Sequence, residues 1–216
     1  MQFVNREEAG KKLARALAEY KGSDAVVYAL PRGGVVLGFE IAKSLKASLD
    51  LVITRKIGHP NSPEYAVCAI AENGGLICNE AECALLDPLW LKSAVEKELQ
   101  EALRRRETYL KNAERISPKG KVAIIIDDGI ATGLTIRAAV QSIRAQKPKK
   151  VVVAVPVASE EAVQLLRGEA DEVIMLDDTE DFLGSVGAHY DDFPQVSDEE
   201  VINLLTRSRL VERAIE

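Results

Sequence analysis

The sequence predicts one α/β domain built on a mainly parallel, twisted sheet that is flanked by helices. Apolar runs rich in β-branched residues alternate with amphipathic helical segments along the 216 residues. Strands that are apolar at every position are typical of parallel sheets, because helices cover both of their faces. The length suffices for one such domain with a small hood or insertion, and is too short for two full domains.

Composition narrows the function classes. Hydrophobic residues make up 47% and charged residues 29%, as in an ordinary globular protein. The 28 Lys and Arg residues against 34 Asp and Glu residues give a net charge of −6, which argues against a nucleic-acid surface. The polar N-terminus and the lack of an apolar run of ~20 residues argue against a signal peptide and a membrane anchor. We expect a cytoplasmic homodimer whose partners are small molecules, without nucleic acid or membrane.

The three cysteines, Cys68, Cys78 and Cys83, form no familiar pairing pattern. Their odd number, and the four residues between the last two, fit neither a disulfide framework nor a zinc site. We therefore interpret them as reduced thiols and expect no metal among them.

The first part of the chain opens with a helix. Asn5 and Glu8 form a capping-box signature, apolar residues follow at helical spacing, and Gly22 closes the helix. Strand Ala25–Leu30 comes next, and a glycine-rich turn leads into helix Val35–Leu45.

The middle of the chain is more polar. Strand Leu49–Thr54 runs into Ile57–Glu64, whose glycine, asparagine and prolines predict a mobile loop. The segments Ala66–Ala71 and Gly75–Asn79 predict a hairpin. A capping residue followed by proline then starts a long amphipathic helix, Asp87–Glu114.

The last part returns to alternating strands and helices. Two capping residues, Ser159 and Ser197, mark helix starts there. The predicted elements are strand Lys121–Asp128, helix Thr135–Gln146, strand Val151–Val157, a short helix after Ser159, strand Glu172–Leu176 and a C-terminal helix after Ser197.

The strand Lys121–Asp128 delivers two acids into a loop of small residues. The segment Ile124–Thr135 reads IIIDDGIATGLT. Backbone N–H groups of such a turn and the positive end of the following helix suit a phosphate monoester. The adjacent carboxylates suit the hydroxyls of a vicinal diol, so a sugar phosphate satisfies both halves. From the residues alone, a plain strand–turn–helix connection with capping acids stays open.

The same segment resembles the PRPP-binding motif of type I phosphoribosyltransferases, where PRPP is 5-phosphoribosyl-1-diphosphate. The resemblance implies the type I phosphoribosyltransferase fold. It also implies that Asp127 and Asp128 hold the two ribose hydroxyls, with Asp128 in the catalytic set. The residues it places around the 5′-phosphate are Ala131, Thr132, Gly133 and Thr135, and Gly129 completes the ribose-5-phosphate site.

On this resemblance, residues 1–216 form a single phosphoribosyltransferase domain. We expect its core over about 1–80 and 118–178, a long helical insertion over about 87–116, and a hood with a C-terminal helix over about 179–216. The insertion is a candidate hood or dimer surface. Its arginines, Arg104, Arg105 and Arg106, are interpreted as a solvated helix face.

A second glycine-rich turn follows the first core strand. Pro31, Arg32, Gly33 and Gly34 stand where the family has its diphosphate-binding loop, and an arginine fork suits a diphosphate. By analogy with the family we predict a cis peptide bond between Pro31 and Arg32. A simple tight turn is the alternative that the residues leave open.

The dipeptide Arg55-Lys56 resembles the start of the flexible catalytic loop of adenine and orotate phosphoribosyltransferases. Cations there would stabilise the departing diphosphate, and a closing loop would exclude water. The alternative is a solvated basic turn. His59 is interpreted as a surface residue, and Glu72 is placed like an acid of the adenine enzymes.

The segment Phe182–Phe193 resembles the part of 6-oxopurine phosphoribosyltransferases that covers the base. The resemblance implies that Phe182 or Val186 covers the acceptor, and that Asp191 lies near the acceptor or the metal. Simple packing of these side chains is the alternative. The strand Ala154–Val157 lacks the lysine that reads the oxo group in that family, which disfavours hypoxanthine and guanine as acceptors.

Together these motifs predict a Mg²⁺-dependent transferase that moves the phosphoribosyl group of PRPP to a nucleobase-like or amine nitrogen and releases diphosphate. Substrate oxygens and water would supply most of the metal ligands, and Asp127 or Asp128 would bind the metal directly or through water. A non-catalytic PRPP-sensing regulator on the same fold is the main alternative. A receiver-type signalling domain is disfavoured, because it would carry its paired acids near its N-terminus and not at Asp127 and Asp128. A dinucleotide-binding domain is disfavoured as well, because the turn after the first strand lacks the G-x-G-x-x-G that such a domain needs.

Overall fold

The computed structural model describes residues 1–111, 113–177 and 182–213. Residue 112 of the expected insertion, and residues 178–181 and 214–216 around the expected hood and C-terminal helix, lie outside the described residues. None of the described helices combines the length and apolar character needed to cross a membrane. The elements are α1 (Arg6–Ala16), β1 (Ala25–Ala29), α2 (Gly33–Leu45), β2 (Ser48–Leu51), β3 (Thr54–His59), β4 (Ser62–Ala71), β5 (Leu76–Cys78), α3 (Glu80–Cys83), α4 (Pro88–Leu110), β6 (Val122–Ile126), α5 (Leu134–Arg144), β7 (Lys150–Val155), α6 (Glu160–Arg167), β8 (Glu172–Met175) and α7 (Asp198–Arg213).

Five parallel strands form the central sheet, in the order β2-β1-β6-β7-β8. Val27 and Ile124 belong to the core under α1, α2 and α7, whereas Val26 and Ile125 belong to the core under α5 and α6. Both faces are therefore buried, which confirms the predicted class. The chain moves outward from β1 to β2 and then returns to β6 on the other side of β1. This puts the topological switch point, where such sheets bind ligands, between β1 and β6.

A second, antiparallel sheet has the order β3-β4-β5 and packs against α4 and α5. The predicted hairpin of Ala66–Ala71 with Gly75–Asn79 is confirmed by the pairing of β4 with β5. The predicted loop Ile57–Glu64 is wrong, because most of it pairs within the β3–β4 hairpin. A Cβ at Gly58 would lie 2.0 Å from the carbonyl oxygen of Pro63, where the strand register is irregular. The glycine thus serves close strand approach at a bulge, and does not mark a loop.

The three cysteines converge beside this hairpin. Cys68 of β4 and Cys78 of β5 are cross-strand partners and form a disulfide. The Cys83 sulfur, at the end of α3, lies 3.2 Å from the Cys68 sulfur. The predicted reduced state is therefore wrong for Cys68 and Cys78, while Cys83 is free. The β4–β5 register brings the sulfurs together, and spacing along the chain does not reveal that register.

The long helix α4 is tied to the central sheet by Arg106. This guanidinium is buried and donates to Glu72 over 2.8 Å, to the Asp50 carboxylate over 3.1 and 3.2 Å and to the Leu51 carbonyl over 3.1 Å. The solvated interpretation is wrong for Arg106, since two acids remote in sequence supply the charge that a buried guanidinium requires. The two preceding arginines do pair with a glutamate on the helix surface. Glu72, which is placed like an acid of the adenine enzymes, is thus engaged in this network, and burial raises its pKa.

Candidate functional site

Two loops leave the carboxyl ends of β1 and β6, on either side of the switch point. The two strands pair along their length, with Ala29 opposite Ile126, and the Leu30 N–H donates to the Ile126 carbonyl over 2.9 Å. The PRGG loop (Pro31–Gly34) follows β1, and the DDG loop (Asp127–Thr135) follows β6. The segments predicted to bind diphosphate and ribose 5-phosphate therefore lie side by side.

The PRGG loop requires both of its glycines. A Cβ at Gly33 would lie 1.8 Å from Asp128 Oδ2, and a Cβ at Gly34 would lie 2.8 Å from the Ile126 carbonyl oxygen. A side chain at either position would push the two loops apart. The peptide bond between Pro31 and Arg32 is cis, as the resemblance predicts.

The DDG loop ends at an open helix terminus. Gly133 is the N-cap of α5 and has a φ of 82°, in the left-handed region that favours glycine. In the described part of the chain, no side chain caps α5 and no acid occupies its first turn. Its free N–H groups and its dipole suit an anion. Ala131 and Thr132 are exposed beside this terminus, and Thr135 is half-buried.

The two acids lie half-buried beside each other at the end of β6. Asp127 Oδ1 accepts the backbone N–H of Asp128 over 2.9 Å. Burial raises the pKa of both carboxyls, and the neighbouring Asp128 raises the pKa of Asp127 further. The Arg6 guanidinium counteracts the increase in the pKa of Asp128. Asp128 is therefore the acid of the pair that a cation contacts directly.

Arg6 is a site residue that the sequence reasoning missed. It begins α1, and its Nε donates to Asp128 Oδ2 over 2.7 Å. Its Nη1 donates to the Pro194 carbonyl over 2.7 Å, and the guanidinium lies 3.6 Å above the centre of the Phe193 ring. A lone arginine in the first turn of an amphipathic helix carries no sequence signal, because only the fold brings the partner acid to it.

The hood is assembled from both ends of the described chain. Phe3 pairs with Tyr190 in a parallel bridge, and the Asp191 N–H donates to the Phe3 carbonyl over 2.8 Å. The Tyr190 hydroxyl donates to the Asp128 carbonyl oxygen over 2.6 Å. The hood is therefore fixed to the DDG loop.

The predicted acceptor residues occupy different surroundings within this hood. Val186 lies directly over the DDG loop, since a Cβ at Gly129 would be 2.5 Å from Val186 Cγ1. Phe182 stacks on His189 with a centroid distance of 5.4 Å. Asp191 is exposed, and its backbone is held by the N-terminal segment. Of the three, Val186 is the side chain that meets the DDG loop.

The predicted catalytic cations lie on β3 and are engaged by acids. Arg55 Nε donates to Glu98 of α4 over 2.8 Å, and Lys56 pairs with Glu64 over 3.1 Å on the exposed side of the hairpin. Both cations line a cavity of about 510 Å³ between the hairpin and α4. Arg32 of the PRGG loop pairs with an acid of α7 over 3.6 Å. Within the described residues, none of these three cations pairs with the DDG loop.

Comparison with known proteins identifies the family. The model of the phosphoribosyl transferase domain matches residues 4–192, which include both loops, the β3–β4 hairpin and the hood up to Asp192. The chain belongs to the phosphoribosyl transferase domain family. This phosphoribosyl transferase domain is 43% identical over 208 residues to provisionally named phosphoribosyl transferases of two Mycobacterium tuberculosis strains, CDC 1551 / Oshkosh and H37Rv. The match covers 95% of this chain and 47% of theirs, so the chain spans about half the length of these relatives.

A solved structure shares the whole architecture of this phosphoribosyl transferase domain. The crystal structure of TT1426 from Thermus thermophilus is 40% identical, with a TM-score of 0.80, and the match covers 96% of this chain and 99% of that one. The parallel sheet flanked by helices is the type I phosphoribosyltransferase fold, as the sequence predicts. The roles of individual residues, and the expected division into core, insertion and hood, stay predictions.

Proposed function

We propose that this phosphoribosyl transferase domain is a Mg²⁺-dependent enzyme that transfers the phosphoribosyl group of PRPP to a nitrogenous acceptor and releases diphosphate. One observation carries the proposal: a half-buried acid pair, an uncapped helix terminus and a glycine loop meet at the switch point of the parallel sheet. These features match the three parts of PRPP, which are a diol, a phosphate and a diphosphate.

Each loop has a role in this proposal. The open end of α5, with Ala131, Thr132, Gly133 and Thr135, binds the 5′-phosphate through backbone N–H and hydroxyl donors. Asp127 and Asp128 accept hydrogen bonds from the ribose hydroxyls. The PRGG loop presents backbone donors to the diphosphate, as close to Asp128 as Gly33 allows.

The acid pair fits Mg²⁺ by its chemistry. Carboxylate oxygens are the hard ligands that Mg²⁺ prefers, and a site with few protein ligands suits a metal held mainly by phosphate oxygens and water. Asp127 and Asp128 would hold it, directly or through water. When bound, Mg²⁺ would neutralise charge on the diphosphate. Arg6 pairs with Asp128, whereas Asp127 makes no ion pair among the described residues.

The β3–β4 hairpin supplies the cations of the proposed mechanism. Diphosphate leaves with its electron pair, so cations near its oxygens stabilise the transition state. Arg55 and Lys56 serve this purpose once Arg55 exchanges Glu98 for the diphosphate. Closure of the hairpin would also exclude water, which would otherwise hydrolyse PRPP.

The acceptor class is the least specified part of the proposal. The hood offers Val186 and Phe182 as apolar cover for a flat ring, and β7 carries no cation beyond its first residue, Lys150. Such surroundings favour a nitrogenous ring or amine over an acceptor that needs a buried lysine.

Titration of the protein with Mg–PRPP by calorimetry tests the binding step. We expect saturable binding by the wild type, and a loss of affinity of at least about tenfold, or ~1.4 kcal/mol, in Asp128→Asn. Asp24→Asn is the matched control, because Asp24 is exposed and pairs with Lys121 at the opposite, amino end of the sheet. A folded wild type that binds no PRPP at millimolar concentration would overturn the proposal.

Turnover separates the enzyme from the sensor. PRPP-dependent release of diphosphate is measured across a panel of nucleobases and amines. Release with any acceptor supports the transferase. Saturable PRPP binding without release across the panel would favour the non-catalytic PRPP-sensing alternative.

A further inference from the structure

Arg6 is fixed from three sides at the junction of the two loops and the hood. Its Nε donates a hydrogen bond to Asp128, and its Nη1 donates one to the Pro194 carbonyl. The face of the guanidinium stacks on the Phe193 ring. The residue is 9% exposed, which is rare for arginine unless the charge is paired. A carboxylate, a backbone carbonyl and an aromatic ring thus fix the orientation of the guanidinium. Neutralising its charge would require only the carboxylate.

The geometry around Asp128 shows what this orientation achieves. A single N–H of Arg6 engages Oδ2, and an ionised carboxylate has about four lone-pair sites, so acceptor capacity is left for ribose hydroxyls. A Cβ at Gly33 would lie 2.8 Å from Arg6 Nε as well as 1.8 Å from Asp128 Oδ2. The Asp128 carboxylate therefore packs between the PRGG loop and the Arg6 guanidinium, which restrict its rotation.

We propose that Arg6 is a positioning residue of the ribose site, which locks the Asp128 carboxylate in the rotamer that receives the ribose hydroxyls and couples that rotamer to the hood. The inference rests on the proposed function, because it presumes a ribose at Asp128. Arg6 acts through Asp128 and does not bind the diphosphate. Loss of Arg6 therefore weakens every ligand that carries the ribose and spares a ligand that lacks it.

Three ligands and three variants test this role. The ligands are PRPP, ribose 5-phosphate and inorganic diphosphate, each titrated without Mg²⁺, so that Asp128 cannot act on the diphosphate through the metal. Wild-type binding of PRPP and ribose 5-phosphate is also measured with Mg²⁺ present. The variants are Arg6→Met, Arg6→Lys and Arg15→Met. The last is the matched control, since Arg15 lies on the same helix and is exposed. Thermal unfolding checks that each variant is folded.

In Arg6→Met, we expect affinity for PRPP and ribose 5-phosphate to fall by about tenfold each, or ~1.4 kcal/mol, with diphosphate affinity unchanged. Arg6→Lys should recover part of the loss, because lysine keeps one bond to Asp128 but lacks the fork that reaches Pro194. Arg15→Met should match the wild type. If Arg6→Met does not fold, the same ligand pattern in Arg6→Lys decides the question.

Equal losses for diphosphate and ribose 5-phosphate would overturn the inference, because they would indicate a contact with the diphosphate or a general loss of the site. Unchanged affinities in both Arg6 variants would also overturn it. A wild type that binds neither PRPP nor ribose 5-phosphate contradicts the proposed function itself. That result is distinct from a wild type that binds both while the Arg6 variants bind equally well.

Discussion

At the scale of single residues, Gly33 shows how closely the two loops are fitted. The carboxylate of Asp128 occupies the space that a side chain at this position would take. Glycine is therefore required here for contact, and not for its backbone freedom, since Gly33 opens α2 with no positive φ. The proposed diphosphate and ribose sites share this one boundary.

The substitution Gly33→Ala tests that boundary. The added methyl group must displace the Asp128 carboxylate, so we expect PRPP affinity to fall by at least about tenfold. Overpacking should also lower the free energy of unfolding by ~1–3 kcal/mol. Gly168→Ala is the matched control, because the nearest atom to its added Cβ lies 3.6 Å away. Calorimetry and thermal unfolding give both values, and an unchanged PRPP affinity in Gly33→Ala would contradict the shared boundary.

At the scale of elements, α4 controls the hairpin that carries the proposed catalytic cations. Arg55 is held to α4 by Glu98, whereas Arg106 holds α4 to β2 and to the end of β4. The first pair is partly exposed and the second network is buried, so the two differ in strength. The Arg55–Glu98 pair is thus a weak addition to the apolar packing of the hairpin on α4, whereas the Arg106 network is buried.

Because the Arg55–Glu98 ion pair is weak, the substitution Glu98→Gln should affect PRPP binding more than the fold. Freed from its partner, Arg55 is available to the diphosphate without first breaking an ion pair. We expect PRPP affinity to rise by about two- to fivefold, since a partly exposed pair contributes ~0.5–1 kcal/mol. Glu96→Gln on the exposed side of α4 is the control. A fall in PRPP affinity in Glu98→Gln, measured by the same titration, would contradict this role of Glu98.

The buried network of Arg106 predicts a large loss of stability in Arg106→Met. Removing the guanidinium leaves Asp50 buried without its cation and Glu72 with Arg115 alone, and we expect the free energy of unfolding to fall by ~3–5 kcal/mol. Arg104→Met, whose side chain is 59% exposed, should change it by less than ~1 kcal/mol. Urea denaturation followed by circular dichroism measures both. Equal stabilities of the two variants would show that the network does not hold α4.

The cysteine cluster gives a covalent test of the hairpin register. We expect the denatured, non-reduced protein to alkylate at Cys83 alone, because Cys68 and Cys78 are bonded to each other. After reduction, all three cysteines should react. Intact-mass spectrometry counts the added groups, and three groups without reduction would contradict the disulfide.

At the scale of the whole molecule, the sequence predicts what is local and periodic. Alternating apolar runs give the parallel sheet, the glycines and acids after β1 and β6 give the two loops, and the capping residues give the helix starts. Contacts between distant segments carry no such signal. Arg6 and Arg106 resemble surface arginines until the fold brings acids to them, and Gly58 resembles a loop residue until Pro63 is opposite it.

The contacts of Arg6 with residues remote in sequence have a consequence for biosynthesis. Arg6 bonds to Asp128, 122 positions later, and to Pro194, 188 positions later. Chains emerge from the ribosome N-terminus first, and contacts of large sequence separation form slowly. A nascent chain halted before Pro194 would therefore hold its sheet but not a finished pocket. The proposed substrate pocket would be complete only after Pro194 has emerged, later than the sheet that supports it.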